Sequence, residues 1–232
     1  MTLAEHLAEA RKRLMISHAS VFLLGILCFI FYGPILTWLQ HPYCHIQPHD
    51  CTFLATGPLD GLTLRIRIAF FGGIIAGSPV LFYQTFRFVM PGLKRNEKKY
   101  VVPFVGASLI FFLAGCGSAF FSFEHALEFL KSIGGKDLIF RLNPVNYLNL
   151  LTLMMLIFGL MFEFPVILVS LEVGNVITPK GLIKAWRWAI IAITIAAGVL
   201  TPSGDPFSMM VLMVPLIIFY FGAAGVGKLL GK

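Results

Sequence analysis

Apolar residues run along this chain in six long stretches, near residues 15–39, 64–88, 100–123, 147–171, 187–200 and 208–225, and most of the charge lies between them. Hydrocarbon offers no partner to an open backbone group, so each stretch predicts a helix. The first four reach the roughly 20 residues that a membrane crossing needs, while the last two are short and are expected to tilt little or to sit where the bilayer is thinned. The pattern therefore predicts an all-α integral membrane protein, a bundle of six transmembrane helices forming one domain over residues 1–232. Two segments outside the membrane have characters of their own. Residues 40–63 hold Pro42, Pro48, Gly57, Pro58 and Gly61 and predict an irregular loop. Residues 123–133 put Phe123, Leu127, Leu130 and Ile133 on one helical face and Glu124, Glu128 and Lys131 on the other, which predicts a short amphipathic helix on the outer surface or capping the bundle.

Composition agrees with this class. Of 232 residues, 58% are hydrophobic and only 12% charged, more apolar surface than a soluble domain of this size can hide. The cluster Arg11-Lys12-Arg13 precedes an apolar run too long for a signal peptide, so that run reads as the first span rather than a cleaved leader. With the N-terminus inside, only Arg65, Arg67, Lys131, Lys136 and Arg141 of the 18 Lys and Arg fall outside, a bias that predicts both termini in the cytoplasm. The net charge of +7 then reads as topology and lipid contact, and no nucleic-acid partner is expected. Trp186 and Trp188 suit the inner interface, Trp38 and Tyr43 the outer one.

Candidate chemistry is sparse. The outer loop contains HPYCHIQPHDC. A disulfide between Cys44 and Cys51, or two free thiols, is favoured over a metal site built on His41, His45 and His49, because the spacing fits no common zinc pattern. Cys28 and Cys116 read as buried residues of the spans. No nucleophile, metal-protease or phosphate-loop motif is present, so catalytic residues, cofactors and metals are not expected. In the inner loop MPGLKRNEKKY, Glu97 stands among Lys94, Arg95, Lys98 and Lys99. In HLAEARKRL, Glu9 lies one helical turn from Arg13. Taken alone, both acids read as locally paired surface carboxylates.

Glu163 is different. It is the one ionisable residue between Leu148 and Leu171, and Asp or Glu in such a place is a functional hypothesis by default. Pro165 removes a backbone donor, frees the carbonyl of Met161 and is expected to bend the helix there. The competing reading is structural: a hydrogen bond from Glu163 to Gln84, Thr194 or Ser108 that joins helices.

Taken together, these segments resemble the TatC family, the multispanning core of the twin-arginine protein translocase. HLAEARKRL resembles the family's H-L-x-E-L-R-x-R-L, with Ala10 where leucine is usual. MPGLKRNEKKY resembles its P-G-L-x-x-x-E loop, and FEFP its intramembrane acid-x-proline. TPSGDPFSMMVLMVP resembles its T-P-x-D turn and last helix, with the turn lengthened by Ser203 and Gly204. Phe221 stands where an acid is common, and Asp60 stands in for an acid before the second span. The matches run in family order from residue 6 to residue 215. The resemblance implies that Glu97, Glu9, Pro91 and Leu93 bind the twin-arginine signal peptides of folded precursors. It implies that Glu163, Gln84 and Pro165 form an intramembrane polar site for single-span TatA- and TatB-type subunits, and that Asp205 and Pro202 carry a family turn. It further implies self-association in a larger complex, transport driven by the proton-motive force, and a place in a bacterial-type cytoplasmic membrane. A proton-coupled small-solute carrier using Glu163 is the alternative, although carriers commonly show internal repeats or broken helix pairs and neither is evident here.

Overall fold

The structure, a computed structural model, describes residues 3–47, 51–89, 101–134 and 141–229. All regular structure among them is helical: α1 (Leu3–Ile30), α2 (Tyr32–Leu39), α3 (His41–Ile46), α4 (Asp60–Val89), α5 (Val101–Gly134), α6 (Pro144–Phe162), α7 (Phe164–Val173), α8 (Pro179–Lys184), α9 (Trp186–Leu200) and α10 (Pro206–Leu229). Five helical segments are long and apolar enough to cross a membrane: Leu7–Ile30, Asp60–Phe88, Val101–Gly134, Pro144–Val173 and Pro206–Leu229. α9 is the sixth apolar helix and has 15 residues, so it is short as predicted.

Three elements depart from the hydrophobic pattern. The last helix is longer than the apolar run that announces it: α10 has 24 residues, because Pro206 opens it early and its small residues carry it on to Leu229. The amphipathic segment 123–133 is no separate helix. It is the last third of α5, which runs unbroken for 34 residues, since no proline or glycine interrupts Ser118 to Ile133. Phe123 and Leu127 are buried, whereas Ile133 is exposed. The segment predicted as an irregular loop, finally, carries one helical turn, α3, started by Pro42 in its first positions.

The chain divides into two compact units. The first comprises Met1–Trp38 and Pro58–Leu109. Its centre is the contact of α1 with α4, which meet backbone to backbone: a Cβ on Gly73 would lie 2.6 Å from the Val21 carbonyl oxygen, and one on Gly25 would lie 2.9 Å from that of Ala69. Small residues let helices approach so closely where apolar burial alone gives no preference over lipid. The rest of α1 is bare, with Phe22, Leu23 and Ile30 exposed, as a surface facing acyl chains should be.

The second unit comprises Leu39–Gly57 and Ile110–Lys232. One end of it is an aromatic cluster. Tyr43, Phe53, Phe123 and Tyr147 lie with ring centroids 5.1–5.9 Å apart, and the Tyr147 hydroxyl donates to the Leu39 carbonyl at 2.7 Å. Cys44 and Cys51 are joined as a disulfide, with their Cα atoms 4.8 Å apart. Beside it, His45 Nδ1 lies 2.5 Å from a Glu124 carboxylate oxygen. Asn143 caps α6 by accepting from the backbone N–H groups of Val145 and Asn146. At the other end of the unit, the Tyr220 hydroxyl donates to the Leu182 carbonyl at 2.6 Å, tying α10 to α8.

Candidate functional site

HLAEARKRL is helical, and this brings Glu9 and Arg13 onto one face of α1. Glu9 Oε1 accepts from Arg13 Nε at 3.1 Å and also pairs with Arg13 Nη2. Arg13 Nη1 in turn donates to the Gln84 side-chain oxygen on α4, at 3.3 Å. The local ion pair read from the sequence is therefore formed, but only half of the carboxylate is used. Glu9 Oε2 is buried and has no hydrogen-bond partner among the described residues. These groups line a cleft of about 530 Å³ in the first unit, together with Ala8, Lys12, Ile16 and Arg87. An acid held rigidly by one guanidinium, with its second oxygen unspent, is set to accept from another donor. Glu97, Pro91 and Leu93 lie outside the described residues.

Gln84 belongs to this cleft and to Arg13; Glu163, with which the sequence grouped it, belongs to the other unit. There the fourth apolar stretch divides at one residue, which keeps right-handed helical dihedrals of φ −70° and ψ −15°. α6 ends at Phe162, α7 starts at Phe164, and Glu163 is the joint between them. Its N–H turns back to Leu160 at 3.1 Å, a tightened three-residue step, and its carbonyl accepts from Ile167 at 3.0 Å. Pro165 then falls in the first turn of α7, where a missing N–H costs nothing because no intrahelical acceptor exists. Glu163 is 8% exposed. Its sequence neighbours Met161 and Phe164 line an apolar hollow of about 180 Å³ with Ala189, Ala192, Ile193, Ala196 and Leu216. Thr194, one of the groups nominated to bond Glu163, donates instead to its own helix at the Ile190 carbonyl, 2.9 Å away.

Asp205 is 1% exposed and works as a cap. Its Oδ2 accepts from the Ser208 backbone N–H at 2.6 Å, and its Oδ1 pairs with the Ser203 hydroxyl. The turn after Pro202 closes with Gly204 N–H donating to the Thr201 carbonyl at 3.2 Å, and Gly204 sits at φ +62°. Ser203 and Gly204 thus serve the cap: one supplies a hydroxyl, the other the left-handed backbone that glycine tolerates. Asp205→Ala is expected to lower unfolding stability by about 1 kcal/mol, with Asp205→Asn losing less. Thermal unfolding in detergent checks this, and equal losses for the two variants would refute the capping role.

One acid escaped the sequence reading. Glu172 is fully buried at the end of α7, and both carboxyl oxygens lack a hydrogen-bond partner among the described residues. It packs on the backbone of Gly227 in α10, where an added Cβ would meet Oε1 at 2.7 Å. Its sequence signal was phase: Pro165, Leu168 and Glu172 follow one another at helical spacing, and all are buried.

Comparison with known proteins places this architecture. The family model described as Sec-independent protein translocase protein (TatC) matches residues 5–215. The chain is 35% identical over 241 residues to the TatC protein of Frankia casuarinae, a match that takes in 99% of this chain and 66% of that protein. It is 34% identical over 234 residues to the TatC of Synechocystis sp., covering 100% of this chain and 90% of the relative. Two crystal structures of the twin-arginine translocase receptor TatC, one of them in DDM, superpose with TM-scores of 0.78 and 0.80 at 28% identity. The first covers 98% of this chain and 100% of its own, the second 96% and 99%. An all-helical multi-pass membrane protein matched nearly from end to end, this chain belongs to the TatC family of Sec-independent protein translocases.

Proposed function

We propose that this chain, acting as one membrane domain with both termini in the cytoplasm, is the receptor of a twin-arginine translocase. It takes the signal peptides of folded precursors at its inner rim, where Gln84 braces Arg13, and gathers TatA- and TatB-type single-span subunits around Glu163 and Pro165. It works by binding, and the proton-motive force across a bacterial-type cytoplasmic membrane drives the export. The observation that supports the reading best is the unspent oxygen of Glu9, buried in a cleft and held in place by Arg13. A guanidinium offers a planar fork to such an oxygen where an ammonium offers a single strongly hydrated point, so paired arginines are preferred over paired lysines. Glu97 supplies the second acid, and Pro91 and Leu93 bind the signal peptide with it.

The test is binding of a twin-arginine peptide to the purified protein. Glu97→Ala is expected to weaken it by roughly tenfold or more, the worth of one hydrogen bond to a charged group. Glu9→Ala should do so less severely, and a Lys-Lys peptide should bind weakly to all forms. Unchanged affinity in both variants overturns the receptor reading. Glu163→Ala serves as the second arm: it should leave peptide binding intact and reduce co-purification of the single-span subunits. Loss of folding instead would assign Glu163 to structure.

A further inference from the structure

The cleft between α1 and α4 is more basic than a receptor for arginines alone requires. Among the described residues its charged lining is Glu9, Lys12, Arg13 and Arg87. Glu9 and Arg13 neutralise each other. That leaves Lys12 and Arg87, both exposed, facing one hollow. Lys12 makes no hydrogen bond or ion pair among the described residues. Arg87 spends one N–H on the Tyr83 hydroxyl, at 2.9 Å, and its guanidinium carbon lies 5.6 Å from the centre of that ring. The contact braces the guanidinium against its own helix and leaves its remaining N–H groups unbonded among the described residues. Two cations in one cleft with no acid paired to them among the described residues call for an anion.

The surroundings say which kind. Ile16 and Ala8 also line the cleft, and Leu23, Leu27 and Ile30 continue the same helical face of α1 as exposed apolar surface. A charged hollow that opens onto a bare hydrophobic wall complements an amphiphile, not a free ion. Basic pockets between transmembrane helices at the cytoplasmic leaflet, where anionic lipid is concentrated, have this character. We propose that the α1–α4 cleft is a binding site for an anionic phospholipid. Its phosphate sits between Lys12 and Arg87, and a headgroup hydroxyl donates to Glu9 Oε2. Phosphatidylglycerol carries both groups. A signal peptide that takes Glu9 Oε2 displaces the headgroup hydroxyl from it, and the lipid site itself stands whether or not the receptor reading holds.

The experiment is native mass spectrometry of the purified protein in detergent, with phosphatidylglycerol or phosphatidylcholine of matched acyl chains and no peptide present. The wild type should retain phosphatidylglycerol well above phosphatidylcholine. Lys12→Gln and Arg87→Gln should each lower that retention about fivefold, and the double variant correspondingly further. Lys180→Gln removes an exposed cation of the other unit and should change nothing. Both cleft residues are exposed, so the variants should keep the wild-type unfolding temperature, measured in parallel. Equal retention of the two lipids, undiminished retention in the double variant, or an equal drop with Lys180→Gln would overturn the proposal. So would displacement of the lipid by inorganic phosphate at matching concentration, since that identifies a free-phosphate site; displacement only at large excess supports the lipid.

Discussion

Gly73→Val takes apart the first unit. The valine Cβ would have to occupy a point 2.6 Å from the Val21 carbonyl oxygen and 3.0 Å from the Gly25 Cα and N atoms, all of them backbone. No rotamer change relieves a clash with backbone, so α1 must move off α4, and with it goes the close approach at Gly25 and Ala69. Overpacking of a tight contact costs about 1–3 kcal/mol, and a backbone-to-backbone contact lies at the upper end of that range. The cleft is built from α1 and α4 residues, so it is lost with the packing: Glu9 and Arg13 keep each other, but Gln84 and Arg87 leave them. We expect a lowered unfolding transition and loss of both peptide and lipid binding. The control is Gly106→Val, because nothing lies within 4 Å of a Cβ there. Unfolding followed in detergent separates the two. Equal loss in both variants would mean that valine harms these helices through propensity alone.

Glu172→Leu has the opposite sign. The native carboxyl has given up water on both oxygens and gained no hydrogen bond among the described residues. A buried polar group left in that condition costs about 1–3 kcal/mol. Leucine is similar in bulk and has nothing to desolvate, so the variant should gain about 1–3 kcal/mol of unfolding free energy and unfold at a higher temperature. Glu172→Gln keeps the polar atoms and should gain much less. A lower unfolding temperature for Glu172→Leu would show that the acid is held by partners and contributes to stability. Sequence position hid this group: it lies one residue past the apolar run, where a charge is ordinarily taken to mark the water interface.

Legibility from sequence followed the locality of each cause. Six helices in their order could be read because the bilayer requires every backbone group to be bonded within its own segment. Glu163 and Pro165 announced a disturbance in the fourth stretch, and there α6 gives way to α7; the joint falls at the acid because proline belongs in the first turn of the new helix. The segment 123–133 was misread as a separate helix because its charges look like an end. A helix end needs a breaker or a cap, and charge by itself supplies neither; α5 therefore runs on to Gly134. The Glu9–Arg13 pair was legible because one helical turn separates the two.

The amino-acid order on its own determined the membrane class, the helices, the turn at residues 201–205 and the family to which the chain belongs, because these depend on neighbours in sequence or on residues matched in order. Only the tertiary structure decided that Gln84 and Arg87 share a cleft with Glu9 and Lys12, and that Glu172 lies on Gly227. Those groups lie far apart along the chain. Where they meet depends on how closely two helices can approach, which is set by the absence of a side chain at Gly73, Gly25 and Gly227 and leaves no trace in hydropathy.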